Sequence, residues 1–197
     1  MILAFSNWLI LCFLVISPGP SYSTFDPVSV CLSQEEYELY NNINRYRNSK
    51  GLPSLQLSAS LTYVAQIHAR DLQDHYGHGK RCNLHSWSNH GPWKPCCYTD
   101  DHKKAACMWY KPNELTGFEG IGYEMVFYST YPGDVSNMAQ GALNGWKNSS
   151  KHNEMIIHKG MWKQISWKTI GIGIVENYAV VWFSDTPDPR PIPLLCE

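Results

Sequence analysis

The stretch TIGIGIVENYAVVWFSD, residues 169–185, decides the fold, because two apolar runs flank the polar pair Glu176 and Asn177. That arrangement predicts a β-hairpin whose turn lies at the polar pair. Gly171 and Gly173 interrupt the first run, and glycine inside a strand often marks a close approach of another part of the molecule. The stretch therefore predicts a hairpin against which a helix or a ligand packs tightly.

Two helices are predicted near the start of the chain. Ser33 and Glu36 have the spacing of a capping box, in which each side chain accepts a hydrogen bond from the backbone amide of the other residue. Gly51 is suited to end this helix. Ser58 can cap a second helix, and His68 lies on its apolar face. We therefore expect His68 to be a packed, hydrogen-bonded core histidine.

The remaining elements lie between these helices and the hairpin. Residues 76–120 show no sustained periodicity and predict a long loop, which is uncommon in a compact domain without a function or covalent bracing. Residues 122–129 predict a strand. Asp134 is suited to cap a third helix. The proline-rich residues 186–197 predict an extended tail. Because the helices and strands do not alternate, the order indicates an α+β fold.

The first residues have the pattern of a secretory signal. Nine uninterrupted apolar residues, 8–16, are too few to span a bilayer and fit the core of a signal peptide. Small residues at Ser21 and Ser23 predict cleavage after Ser23. We therefore expect residues 1–23 to be a signal peptide, residues 24–197 to form a single domain, and the product to be secreted into the extracellular space.

Charge and motifs exclude several classes of function. The formal net charge is −1, so no basic field indicates a nucleic-acid partner. No stretch after the signal is long and apolar enough to predict a membrane span. The phosphate-binding loop, the dinucleotide-binding glycine pattern and the G-x-S-x-G nucleophile motif are all missing from the sequence.

The cysteine content predicts disulfides. Cys12 would be removed with the signal peptide, which leaves six cysteines. An even number of cysteines in a secreted chain indicates a disulfide framework. We expect Cys31 to meet Cys196, because the ends of a domain are often close in space, and the other four to close two bridges within residues 82–107. A zinc site is the alternative, although paired C-x-x-C spacing is lacking. The six mature cysteines are Cys31, Cys82, Cys96, Cys97, Cys107 and Cys196.

Three polar residues have surroundings typical of a site. His85 follows the second mature cysteine, Glu124 lies in the strand predicted over residues 122–129, and His152 follows the third predicted helix. Two imidazoles and a carboxylate are ligands that a divalent metal such as zinc accepts. Their distance in sequence means that only the fold can bring them together.

Five motifs make the chain resemble the CAP superfamily, which comprises cysteine-rich secretory proteins, insect antigen 5, plant pathogenesis-related 1 proteins and bacterial relatives. The resemblance extends over about residues 35–183. The motifs, in the order of the family, are CNLHS (82–86), IGYEMV (121–126), WKNSSKH (146–152), GMWKQISW (160–167) and IGIGI (170–174).

The resemblance implies a three-layer α-β-α sandwich with a central antiparallel sheet and disulfide-braced loops. It also implies a cleft with two histidines and two glutamates that binds a divalent cation weakly in several members. His85 and Glu124 match this tetrad, whereas Ser149 and Met161 stand at the other two positions. His152 matches a histidine of the bacterial-type members. The implied cleft is thus His85, Glu124 and His152, with zinc or magnesium as the weakly bound cation.

The implied function is that of a secreted, non-catalytic binding protein. Its partner would be a sterol or fatty acid, or an extracellular protein. The aromatics of the long loop, among them Trp87 and Trp109, would either line a ligand site or cover a thin core. The alternative is a secreted hydrolase or protease that uses the same cleft, with Ser86 or Ser149 as nucleophile. Asn148 begins an N-S-S glycosylation sequon beside this cleft.

Overall fold

The computed structural model describes residues 24–77, 81–130 and 137–197. The predicted signal peptide and the predicted cap Asp134 lie outside these residues. The strands are β1 (Cys31–Leu32), β2 (Gln56–Leu57), β3 (Tyr123–Tyr128), β4 (Thr169–Val175), β5 (Tyr178–Ser184) and β6 (Leu194–Leu195). The helices are α1 (Gln34–Ser49), α2 (Ala59–His75), α3 (Ala105–Trp109), α4 (Lys111–Thr116), α5 (Met138–Asn148) and α6 (Ser150–Ile156), and a 3₁₀ helix covers Gly160–Gln164.

The central sheet has the strand order β2-β4-β5-β3. The predicted hairpin is present as β4 and β5, which pair antiparallel, and β3 pairs antiparallel with β5 on the other side. The short edge strand β2 pairs parallel with β4. The expected antiparallel sheet is therefore mixed, because the chain enters β2 directly from the turn after α1 and leaves it into α2.

The helix starts follow from local capping chemistry. Ser33 and Glu36 form the predicted capping box, with both reciprocal bonds present. Ser58 caps α2 by accepting a hydrogen bond from the Leu61 amide, as predicted. Helix α5 begins after Asn137, whose side chain accepts from the amide of Gln140. Each cap satisfies an amide that would otherwise lack a partner at the helix end.

Helices cover both faces of the sheet, which makes three layers. Met125 and Val126 are adjacent in β3 but belong to the two different hydrophobic clusters, because successive strand side chains point to opposite faces. Helix α2 covers one face, and α1 and α5 cover the other. A Cβ atom on Gly171 would lie 2.1 Å from the backbone of Leu61 in α2. The glycines of the hairpin thus permit direct contact between α2 and β4.

All six cysteines of the described residues form disulfides. Cys31 pairs with Cys196, as expected from the positions near the chain ends. Cys82 pairs with Cys97, and Cys96 pairs with Cys107, so two bridges lie within residues 82–107. The alternative of a cysteine zinc site is therefore wrong, because a disulfide sulfur has no thiolate to offer a metal.

The long loop is more ordered than the sequence predicted. It contains α3 and α4, which are too short to show a clear helical period. Trp87 and Trp93 are buried in the core, so these two aromatics cover a thin part of the core, whereas Trp109 has another position described below. Lys111 is buried with its ammonium 5.3 Å from the centre of the Trp87 ring and 2.7 Å from Glu114.

The proline-rich tail runs back over the domain and is held at two places. Strand β6 pairs parallel with β1 beside the Cys31–Cys196 bridge. Asp188 is buried and accepts hydrogen bonds from the hydroxyl of Ser58 and the amide of Ser60. An anionic side chain at this place is favourable because it lies at the positive end of α2. Among the described residues, no helix combines the length and the apolar character needed to cross a membrane.

Candidate functional site

A cleft of about 620 Å³ contains the three residues singled out in the sequence. His85 comes from the disulfide-braced loop, Glu124 from β3 and His152 from α6. Most of the remaining wall is aromatic or contains methionine. The other lining residues are Tyr98, His102, Ala105, Met108, Trp109, Tyr123, Lys151, Glu154, Met155, Met161 and Trp162.

Glu124 lies at the bottom of this cleft, with both carboxylate oxygens engaged. Its Oε2 atom is 2.8 Å from Nδ1 of His85, and its Oε1 atom is 2.5 Å from Nδ1 of His68. The side chains of Glu124 and His68 are fully buried, whereas that of His85 is 23% exposed. One carboxylate thus joins an imidazole in the cleft to an imidazole in the core.

His68 is fixed on every side. Its Nε2 atom lies 3.0 Å from the backbone oxygen of Ser86, and its ring stacks on Trp87 with 4.3 Å between the ring centres. The expectation of a hydrogen-bonded core histidine is confirmed. Sequence reasoning nevertheless missed that its partner is Glu124, because the pairing joins α2 to β3 across 56 residues.

The two members of the buried pair each favour the charged form of the other. Burial disfavours the charged form of His68, but the adjacent carboxylate of Glu124 outweighs this penalty and raises the pKa of His68. Burial likewise opposes ionisation of Glu124, yet His68 and His85 together lower the pKa of this carboxyl group. A buried charge is tolerable only when it is paired and hydrogen-bonded, and the two imidazoles supply this pairing.

Local bonds within the loop set the position of His85. The Cys82–Cys97 bridge closes the loop around it, and its amide donates to the side chain of Asn83 over 3.1 Å. The amide of Tyr98 donates to the hydroxyl of Ser86 over 2.9 Å. The bracing of the loop therefore orients an imidazole without the help of a helix or strand.

His152 faces the cleft from α6. Its Nδ1 atom lies 2.8 Å from the hydroxyl of Ser149, the residue that precedes the helix. Burial, together with the nearby His85 and Lys151, lowers the pKa of His152. The neutral imidazole is the form that can act as a ligand or accept a hydrogen bond.

Ser149 and Met161, which stand at the other two positions of the family tetrad, both lie at the cleft. Ser149 supports His152, and Met161 lies at the edge of the cleft with its side chain 78% exposed. A carboxylate that sequence reasoning missed, Glu154, lines the same cleft. No local pattern indicated this, because residues two apart on a helix do not share a face.

The three predicted cation ligands differ in how far other residues engage them. Both oxygens of Glu124 are engaged by imidazoles, and no group of three histidine, cysteine or acidic side chains within residues 24–77, 81–130 and 137–197 is arranged to hold a metal ion. His85 and His152 each have one ring nitrogen without a hydrogen bond to any described residue. A weakly bound divalent ion in this cleft would therefore use these two imidazoles among its ligands.

The contacts of Ser86 and Ser149 give little support to the hydrolase alternative. The hydroxyl of Ser86 bonds to the backbone of Tyr98 on both its donor and its acceptor side. The hydroxyl of Ser149 contacts His152, but no ion pair among the described residues joins His152 to a carboxylate. A serine nucleophile needs a base that a third group orients. Asn148, the possible glycosylation site, is exposed at the end of α5.

An α-β-α sandwich with disulfide-braced loops and an imidazole–carboxylate cleft defines an extracellular type of domain. The family model "CAP: Cysteine-rich secretory protein family" matches residues 40–182. The chain therefore belongs to the CAP family of cysteine-rich secretory proteins. No curated protein matches the chain.

The chain is similar to solved structures at low identity. An extracellular protein containing a SCP domain from Bacillus anthracis is similar with a TM-score of 0.52 and 18% identity, over 76% of this chain and 40% of that one. An outer surface protein from Borrelia burgdorferi gives a TM-score of 0.49 and 16% identity, over 79% of this chain and 95% of that one. This chain thus spans less than half of the Bacillus protein, and the likeness extends to the fold.

Proposed function

We propose that this CAP domain is a secreted, non-catalytic binding protein that holds a small apolar molecule with one polar end, of the fatty-acid or sterol class. The observation that carries the proposal is the cleft of about 620 Å³. Its size falls in the range typical of ligand sites. The six paired cysteines support secretion, because such bridges persist in oxidising compartments.

The walls and the bottom of the cleft differ in chemistry. Trp109, Tyr123 and Trp162 supply aromatic surface, and Met108 and Met155 supply flexible apolar surface, which adapts to irregular ligands. Polar partners contact both imidazoles, Glu124 at His85 and Ser149 at His152. A ligand would therefore place its apolar part against the walls and its polar end near the two imidazoles, where a weakly bound zinc or magnesium ion would also lie.

A small molecule suits this geometry better than a protein partner, because the apolar surface is concave. The hydrolase alternative is not favoured, since neither predicted nucleophile contacts an imidazole that a carboxylate orients. In a serine hydrolase, the histidine becomes charged when it takes the proton of the serine, and a carboxylate stabilises that charge. The Ser149–His152 contact has no such carboxylate.

The test is a titration of the secreted protein with a fluorescent fatty acid and a fluorescent sterol. Met161→Lys places a charge at the apolar edge of the cleft and should weaken binding about tenfold, which corresponds to about 1.4 kcal/mol. Ile192→Lys is the matched control, because Ile192 is also exposed but does not line the cleft. Wild-type protein that binds neither probe, or equal weakening by both variants, would contradict the proposal.

A further inference from the structure

The contacts of His68 determine where protons lie in the chain of three side chains that runs from the core to the cleft. A backbone oxygen only accepts hydrogen bonds, so the Nε2 atom of His68 carries a hydrogen toward Ser86. The two oxygens of Glu124 face the Nδ1 atoms of His68 and His85, one each, and a carboxylate also only accepts. The Nδ1 atoms of His68 and His85 must therefore both donate to Glu124.

This arrangement fixes the state of the imidazole in the cleft. A neutral histidine carries one hydrogen on its ring, and which nitrogen carries it is set by the hydrogen bond of the other. Because Nδ1 of His85 donates to Glu124, its Nε2 keeps a lone pair. No hydrogen bond to this Nε2 is found in the part of the chain that the structure describes.

We propose that His68 is a positioning residue, which holds Glu124 from beneath so that Glu124 fixes His85 with its Nε2 atom as an acceptor in the cleft. His68 also bonds to Ser86, the neighbour of His85, so it aligns the carboxylate and the loop at the same time. The stacked ring of Trp87 prevents His68 from turning away. The use of the Nε2 acceptor for a ligand rests on the proposed function, but the tautomer itself does not.

The position of His68 explains why a carboxylate at this place can be buried. Without a second partner, Glu124 would have one bonded oxygen and one buried oxygen without a donor, which is costly. With His68 present, both oxygens are satisfied and the carboxylate has a single orientation. An oriented carboxylate behind a histidine is the arrangement that fixes the tautomer and ring direction in many ligand-binding sites.

Nitrogen-15 NMR of the ligand-free protein at about pH 8, where histidine is ordinarily neutral, tests the proposal. In the wild type, His85 should show a protonated Nδ1 and an unprotonated Nε2. His68→Leu removes both donors and should give a mixture of His85 tautomers. His68→Gln keeps two N–H groups on one side chain and should restore much of the wild-type pattern.

His75→Leu and His75→Gln are the controls, because His75 lies on the same helix but does not line the cleft. They should leave the His85 signals unchanged. Protonation of His85 at Nε2 in the wild type would overturn the proposal, even if His68→Leu fails to fold. An unchanged His85 tautomer in folded His68→Leu would overturn it as well. Since no ligand is added, failure to bind lipid would contradict the proposed function alone.

Discussion

The Nδ1 atom of His68 lies 2.5 Å from Oε1 of Glu124, and both side chains are completely buried. This contact joins α2 to β3 and places a buried imidazole–carboxylate pair beneath the cleft. The same carboxylate reaches His85 through its other oxygen. The pair is thus part of the core and part of the candidate site, and it should affect both stability and binding.

The first prediction concerns the stability of this pair. His68→Leu and Glu124→Leu should each lower the free energy of unfolding by about 3–5 kcal/mol, because each leaves a buried charge without its partner. The double variant should lose clearly less than the sum of the two losses. Urea unfolding measures all three, with His75→Leu as a control on the same helix. Additive losses would show that the pair is not coupled.

The second prediction concerns pH. Glu124 raises the pKa of His68 above its ordinary 6.5, so the stabilisation from His68 is complete below that pH and is lost as the pH rises through the raised pKa. The pKa of Glu124 lies below its ordinary 4.5, so its contribution is lost as the pH falls through that lower value. Subtracting the His68→Gln stability curve from the wild-type curve should isolate the alkaline loss, with a slope of up to about 1.4 kcal/mol per pH unit. Equal curves would contradict it.

The third prediction separates the roles of two disulfides. The Cys31–Cys196 bridge closes 165 residues and Cys82–Cys97 closes 15. On the loop-entropy model, removing the long bridge should cost more than about 4 kcal/mol and removing the short one about 3. Fluorescent fatty-acid binding should fall only without the short bridge, because that bridge orients His85. Loss of binding in both paired cysteine-to-alanine variants at equal folded fraction would contradict this assignment.

The fourth prediction concerns divalent ions. Calorimetric titration with zinc should give weak binding that His85→Ala and His152→Ala each abolish. Glu124→Gln should weaken it about 10–100-fold, because this residue acts behind a ligand. His90→Ala is the control, since His90 belongs to the same loop but not to the cleft. Heat that is unchanged in His85→Ala would argue against a cation in the cleft.

The fifth prediction concerns glycosylation at Asn148. The side chain is exposed at the end of α5, so an oligosaccharide fits there without disturbing the core. Protein from a eukaryotic secretory host should lose mass on glycosidase treatment. Ser150→Ala removes the sequon but keeps Ser149 beside His152, and should abolish this shift. The same mass loss from Ser150→Ala would place the glycan elsewhere.

Local chemistry explains which parts of the fold could be predicted. The capping box at Ser33, the cap at Ser58 and the hairpin turn at Glu176 each depend on neighbours a few residues away. Helix α3 was missed because five residues are too few to show a period. The parallel pairing of β2 could not be predicted, because a two-residue strand has no pattern of its own.

Some features of the candidate site could likewise be predicted from the sequence, and others could not. The family motifs identified His85, Glu124 and His152, and the cysteine count indicated that the loop around His85 is cross-linked. They could not show that the second carboxylate oxygen of Glu124 is hydrogen-bonded to His68. They also could not show that Glu154 and Trp162 line the cleft. The helical pattern around His68 predicted that this residue is buried, because burial depends only on the face of the helix. It could not predict the partner of His68, which lies in β3.

The sequence by itself determined the caps of α1 and α2, the hairpin, the family and the three polar cleft residues His85, Glu124 and His152, because each depends on a short pattern or on an ordered set of motifs. Only the tertiary structure decided how the four cysteines of residues 82–107 pair, which helix contacts Gly171 and Gly173, and which groups share the carboxylate of Glu124. The physical reason is that a buried charge must find its partners in space. Those partners come from a helix and a loop that the chain separates by 56 and 39 residues from Glu124.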